Sequence, residues 1–352
     1  MYRSFLIHTS PRMENQMTNQ TPKIVVITPL KNEDWIIDRF LAVTSQFADR
    51  IIIADQNSND ESLAICKKYP KVVLIENKST QYDEASRQIL LIQTARDLVP
   101  EQKILLALDT DEMLAASATK TLGWQSMLKA KPGTVLLFEK PDLYLTPNKC
   151  IRYDTPWPLG YVDDGAEHNP KKIHSIRIPM PNYAPRLYIN DVKILHYASV
   201  RPGAQAAKYR MYSVIENVLS TGFLLTRRRK YDLNRMFRQY QLQASLSPSE
   251  WFAAWEEIGI DMHTIIEQRY SWQDFEVLKY FEEYGLRRFW MDDIWEFDWE
   301  ACRLYAKSLE MSNIPDFEIK VPPRSIRSIT RSLTDVYMET RKLIKGDTKL
   351  WG

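Results

Sequence analysis

Ile104-Leu105-Leu106-Ala107-Leu108, followed at once by Asp109-Thr110-Asp111, is the stretch on which the fold turns. Five apolar residues without polar alternation read as a strand covered on both faces, the pattern of a parallel sheet sandwiched between helices. Ligands of such sheets bind beyond the carboxyl ends of the strands. Two carboxylates one residue apart, launched from that end, can share a divalent cation and the phosphate oxygens it carries. Working outward, three more runs precede it at intervals of about 25 to 30 residues: Lys23 to Pro29 (KIVVITP), Arg50 to Ala54 (RIIIA) and Val72 to Glu76. Between them Trp35, Ile36, Phe40, Leu41 and Val43 space out as one helical face. Leu63, Ala64 and Cys66 begin a second helix after a cap at Asn59 or Asp60, and Asp83 to Leu98 form a third with Ile89, Leu90, Ile92 and Ala95 inward.

Composition bounds the function. The chain has 352 residues, 44% hydrophobic and 26% charged, enough for one large domain with an appendage and unlike a disordered chain. Lys and Arg number 47 against 45 Asp and Glu, so the net charge of +2 supplies no general drive toward nucleic acid. Cys66, Cys150 and Cys302 are odd in number and lack a CxxC pair, which points to a reducing, cytoplasmic setting. No apolar run approaches the ~20 residues of a spanning helix. Residues 1–20 are expected to be a mobile lead-in without signal-peptide character.

After Pro132 the composition shifts to Pro, Tyr and isolated charges, and short strands with long loops over the sheet mouth are expected up to about Tyr197. Beyond Gly203 the pattern is helical, with Tyr209, Tyr212, Ile215, Val218 and Leu219 on one face and a later cluster of Phe275, Leu278, Tyr280 and Phe281. Seven of the ten tryptophans lie from Trp251 to Trp351. The expected organisation is therefore a catalytic domain over residues 21–205 and a helical, Trp-rich region over 206–352. Near the end, Pro322 and Pro323 precede an amphipathic stretch with Ile326, Ile329, Leu333, Val336 and Tyr337 on one face, flanked by Arg324, Arg327 and Arg331. Packing against the catalytic domain is the first expectation for it, and contact with an anionic membrane surface the second.

The polar groups after each strand are the candidate ligands. They are Thr28, Pro29, Lys31, Asn32 and Glu33 after the first, Asp55 after the second, and Asp109, Thr110 and Asp111 after the fourth. On these residues the chain resembles a family 2 glycosyltransferase of GT-A fold. TPLKNE resembles the opening strand and loop of that family. IIIADQNSNDES resembles its Val-Asp-Asp-Gly-Ser-Thr-Asp segment, with Gln56 and Asn57 in place of Asp-Gly. LALDTDEML resembles its Asp-x-Asp strand end, YDEASRQILLIQTA the Arg-bearing helix before it, and ILHYASVRPGAQAAKYRMYS its His and Lys-x-x-x-Tyr region. The resemblance spans about 200 residues.

What it implies is an α/β fold with a mostly parallel sheet flanked by helices, and inverting, metal-dependent, non-processive transfer from a nucleotide-sugar donor, a UDP-sugar being favoured. Asp55 would accept from the ring N–H of a uracil-like base. Asp111 would bind Mn²⁺ or Mg²⁺, Asp109 would contact the ribose or the metal, and His196 would be a third metal or diphosphate ligand. Arg87 would neutralise the diphosphate, or simply pair with Asp83 one helical turn away. Inverting transfer also needs a base for the acceptor hydroxyl. Asp163, Asp164 and Glu167, in the Gly-flanked GYVDDGAEHNP, are the candidates, with Asp191 behind them. The acceptor would be a saccharide, a lipid-linked group or a peptide. Peripheral contact at the inner membrane face and a homodimer through the C-terminal region complete the expected partners.

Other classes fit less well. TPLKNE has no glycine to cradle phosphates as a nucleotidyltransferase loop does, and GxGxxG, GxxxxGK[ST] and GxSxG are absent. A non-catalytic carbohydrate-binding protein or scaffold keeping the fold would have no use for two adjacent buried charges at 109 and 111.

Overall fold

The computed structural model describes residues 21–77, 83–219 and 223–345; the expected lead-in and Trp351 lie outside them. The first half alternates as β1 (Lys23–Leu30), α1 (Ile37–Thr44), β2 (Arg50–Asp55), α2 (Ser62–Cys66), β3 (Val72–Glu76), α3 (Glu84–Leu98) and β4 (Lys103–Ala107). These four strands are parallel in the order β4-β1-β2-β3. The apolar runs of β1, β2 and β4 are buried on both faces, against Phe40, Leu41 and Cys66 on one side and Leu91, Ile92 and Ala95 on the other, while β3 at the edge is half-buried. In α3 it is Leu91 that turns inward, while Ile89, expected in the core, is half exposed. Two residues are about 200° on a helix, so Ile89 and Leu91 face opposite sides.

The middle of the chain departs from expectation. It builds β5 (Glu112–Leu114), α4 (Leu122–Leu128), β6 (Val135–Glu139), β7 (Asp142–Tyr144), β8 (Thr146–Ile151), β9 (Trp157–Val162) and the 14-residue β10 (Arg186–Ser199). The short strands are present, but they extend the sheet and make up about half of it instead of lying over its mouth. Its order is β8-β7-β10-β6-β9-β4-β1-β2-β3, and β5 pairs with β10. β9 runs antiparallel between β4 and β6, whereas β6 and β10 are parallel to one another. Only the 163–185 connection is a long loop, and it lies across the face that holds α3, with Ile178 buried there.

The last third comprises α5 (Pro202–Val218), α6 (Leu224–Lys230), α7 (Leu233–Gln243), β11 (Ser245–Leu246), α8 (Ala253–Glu257), α9 (Trp272–Tyr284), α10 (Trp299–Ser308) and α11 (Arg324–Lys345). Phe281, Phe289, Trp295, Trp299 and Cys302 form a second core against Met211 and Val214 of α5. Trp251, Phe252 and Trp255 instead join the core of the sheet, and β11 pairs with β8. α11 rests on α6, but through Thr330 and Thr334, both buried. Ile329, Leu333 and Val336, expected to be its packing face, stay exposed. Two threonines that return their hydroxyls to Ile326 O and Thr330 O can be buried without orphaned polar groups, which lets the polar side of the helix dock.

Candidate functional site

The carboxyl ends of β1, β2 and β4 meet at one edge, and their loops are laced together. Asn32 N donates to Ser58 Oγ at 2.9 Å, its side chain exchanges hydrogen bonds with Asn59 at 2.8 and 2.9 Å, and Glu33 N donates to Ser62 Oγ at 2.9 Å. Asn32 holds φ 52°, a left-handed turn that Asn tolerates better than most residues. Lys31 Nζ donates to Gln56 O at 3.1 Å and lies 5.4 Å from the Trp272 ring; burial lowers its pKa. Thr28 is buried within β1, and Pro29 pairs with Ala54. Both Asp55 carboxylate oxygens accept from Ser58 N, at 3.3 and 3.2 Å, so the residue caps its own loop at the place expected for base recognition.

Arg87 and Asp83 do not pair as i, i+4 partners here. Asp83 caps α3 through Ser86 N at 3.1 Å, while Arg87 Nη1 donates to Gln56 Oε1 at 2.5 Å. Arg87 thereby stands at the β2 loop, across from Lys31.

Around Asp109 and Asp111 the structure adds residues that local sequence did not mark. Arg177, reaching in from the 163–185 loop, pairs with Asp109 Oδ1 at 3.0 Å and forks onto Glu112 at 2.8 and 2.8 Å. Glu112 is fully buried; desolvation alone would raise its pKa, but Arg177 and Lys140, the latter at 2.8 Å, hold it well below the usual range. Glu112 Oε2 also accepts from Asp109 N at 3.0 Å, which shapes the turn that carries the pair. Thr110 between them is buried.

His196 on β10 faces Asp111, with Nε2 3.6 Å from Oδ2. Its Nδ1 is 2.5 Å from Asp142 Oδ1, and Asp142 Oδ2 accepts from Tyr153 at 2.7 Å and Tyr240 at 3.2 Å. A carboxylate behind Nδ1 fixes the ring and turns Nε2 toward Asp111, the kind of support given to a histidine that binds a metal. Asp111 and His196 therefore fit a divalent cation, while Asp109 is committed to Arg177. Among the described residues no three His, Cys, Asp or Glu side chains cluster as a metal cage.

Glu33, Asp111, Arg201, Lys208 and Trp272 line the adjoining cleft. Burial and the nearby Asp111 charge push the Glu33 carboxyl up to about 8, although Trp35 Nε1 donates to it at 2.6 Å. Burial would lower the Lys208 pKa, but Tyr212, Asp111, Asp109 and Glu33 raise it. Arg201 lies 4.4 Å from the Trp35 ring. Lys208 was visible in the Lys-x-x-x-Tyr resemblance; Arg177, Glu112, Lys140 and Asp142 had no local signal.

The acidic loop is not here. Val162 pairs with Ile104, and Asp163 N donates to Lys103 O at 3.0 Å, so the loop lies at the amino edge of the sheet. Asp163 is bound by Arg96 at 2.8 Å and Lys103 at 3.5 Å; Asp164 accepts from Tyr161 at 2.5 Å. Glu167 is exposed near His168, which bonds Gln88 on α3 at 2.9 Å. Asp191 accepts from Gly123 N at 2.9 Å at the start of α4, where a Cβ on Gly123 would collide with it. Asp163 and Asp164, expected to supply the base for the acceptor hydroxyl, thus lie at the opposite edge of the sheet from Asp111, because β9 runs against β4.

Residues 25–114 match the family model described as glycosyl transferase family 2. No curated protein matches the chain. Among solved structures, 4-diphosphocytidyl-2C-methyl-D-erythritol synthase from Anaerococcus prevotii is similar at 15% identity and TM-score 0.26, over 34% of this chain and 56% of that one. Glucosyl-3-phosphoglycerate synthase from Mycobacterium tuberculosis is similar at 14% identity and TM-score 0.25, over 34% and 44%. The chain thus spans about half the length of these structures.

Proposed function

We propose that the protein transfers a sugar from a nucleotide diphosphate donor, with a UDP-sugar favoured, to an acceptor nucleophile by inverting, non-processive, metal-assisted displacement. The observation that carries this reading is the meeting of Asp111 with an Asp142-anchored His196 at the strand ends of the segment that matches the family 2 model. Asp111 and His196 would hold Mn²⁺ or Mg²⁺, and the ion would stabilise charge on the departing diphosphate. Arg177 and Glu112 would keep the Asp109 turn in shape. Asp55, Lys31 and Arg87 would meet the base and phosphates, Asp55 exchanging Ser58 N for the ligand.

With Asp163 and Asp164 at the opposite edge, the acceptor's proton would go to Glu33, a carboxylate in the cleft beside Asp111 once a cation on Asp111 removes the charge that, after burial, raises its pKa. The exposed apolar residues of α11 support peripheral contact with a membrane bearing a lipid-linked acceptor. No described helix is long and apolar enough to cross a membrane.

The test is donor hydrolysis by the whole chain across a panel of nucleotide sugars, with Mn²⁺ and with EDTA. Metal-dependent turnover of at least one donor is expected; no turnover and no calorimetric binding of any donor would reject the reading.

A further inference from the structure

Away from the cleft, three helices direct arginines at one another. Arg229 stands in the last turn of α6, Arg235 in the first turn of α7, and Arg341 near the end of α11. Each keeps a buried nitrogen without a hydrogen-bond partner: Arg229 Nε, Arg235 Nη1 and Arg341 Nε. Among the described residues none of the three is ion-paired with a carboxylate. Their neighbours have already found acids, as Arg227 with Asp292 at 2.7 Å, Arg228 with Asp293 at 3.4 Å and Lys230 with Glu216 at 2.6 Å. The three that remain oppose one another: burial, then the charges of Arg341 and Arg235, lower the Arg229 pKa. Arg235 sits in the first turn of α7, whose end is already capped by Asp232 through Arg235 N at 2.9 Å, so the guanidinium and not the helix end is what an anion would meet.

The group beside them is suited to a polar ligand. Tyr337, one turn before Arg341, shares a hydrogen bond with Thr226 at 3.3 Å. Guanidinium forks near one another that lack an ion-paired carboxylate match the several oxygens of a phosphate better than those of a single carboxylate. An anion there would satisfy the orphaned nitrogens and remove the mutual repulsion together, which no described side chain does.

We propose that Arg229, Arg235 and Arg341 form a phosphate-binding site, separate from the nucleotide-sugar cleft, for a phosphomonoester or diphosphate group. Val336, Leu343 and Ile344 on the same helix are 65, 87 and 74% exposed, so the phosphate can belong to a soluble molecule or to a lipid whose tail meets that side.

The full chain is titrated by calorimetry with pyrophosphate in EDTA, which silences metal-dependent binding in the cleft, and is co-sedimented with phosphatidylcholine vesicles with and without phosphatidic acid. Binding in either arm is expected, weakened about tenfold or more in the Arg229→Gln/Arg235→Gln double variant and unchanged in Asp111→Asn. Pyrophosphate binding alone assigns a soluble ligand, and binding to phosphatidic acid vesicles alone a lipid one. The single variants control for folding. In phosphate-free, low-salt buffer each should melt no lower than wild type, since one of three repelling charges is gone. No binding in either arm, undiminished binding in the double variant, or a lower Tm in both single variants without any anion response would overturn the site. Loss of donor turnover leaves it standing, so the two readings fail separately.

Discussion

Two pairs of aspartates, Asp109/Asp111 and Asp163/Asp164, follow apolar strands in nearly the same way and end at opposite edges of one sheet. β4 runs with its parallel neighbours and delivers Asp109 to the ligand edge, where its side chain is 37% exposed. β9 runs against β4, so Asp163 falls beside Lys103 with its side chain 3% exposed between Arg96 and Lys103. Six steps of extended chain run from Lys103 to Asp109, roughly 20 Å. The lesson is that a carboxylate after a strand is a ligand candidate only once the direction of that strand is known. Asp111 keeps access to a substrate, while Asp163 is consumed in an internal ion pair with Arg96 and Lys103.

The largest way to break this contrast is Asp111→Asn. Donor hydrolysis should fall by roughly 10³-fold, and calorimetry should show UDP binding that no longer responds to Mn²⁺; a retained metal response would undo the assignment. Next comes Asp142→Asn, which removes the anchor of His196 without touching the cleft. Metal affinity or turnover should drop roughly 10- to 100-fold, read as a shifted Mn²⁺ activation curve.

A smaller effect is expected at the base pocket, where Asp55→Ala should weaken UDP and free uridine by the same factor, about tenfold. Uridine affinity left intact would make Asp55 a loop cap only. Last, Asp163→Asn should leave donor hydrolysis close to wild type while lowering stability by on the order of 3 kcal/mol in chemical denaturation. Burial by itself would raise the Asp163 pKa, but the Arg96 hydrogen bond and charge, with Lys103, bring it below the usual value. The native pKa being below the unfolded one of about 3.9, this stability is present above that pH and is lost as pH falls through the native value. Wild type should therefore lose stability more steeply than the variant below about pH 4. Turnover lost in Asp163→Asn at unchanged fold would restore the acidic loop to the mechanism.

Much of the first half was legible because doubly buried parallel strands are continuous apolar runs. Arg50–Asp55 and Lys103–Ala107 need no distant partner to be recognised, and Val72–Glu76, half-buried at the sheet edge, still reads as an apolar run. β10 was not legible: RLYINDVKILHYAS mixes exposed Asp191 with buried Val192, and its pairing changes along its length from β6 to β7 and β5. Arg177 lay outside any motif, since nothing local ties a loop arginine to a glutamate 65 residues earlier. On α11 the amphipathic pattern was real, yet packing went to the threonines.

By itself, the sequence determined the parallel core, the family resemblance and the carboxylates at the ends of β2 and β4, because apolar continuity and the polar residues that follow it are local properties. Only the tertiary structure decided which carboxylates remain available. That choice depends on strand direction and on which cations arrive from elsewhere: Arg177 at Asp109, Asp142-anchored His196 at Asp111, Arg96 at Asp163. These are electrostatic pairings between segments far apart in the chain, and a charge is spent or spared by its neighbours in space.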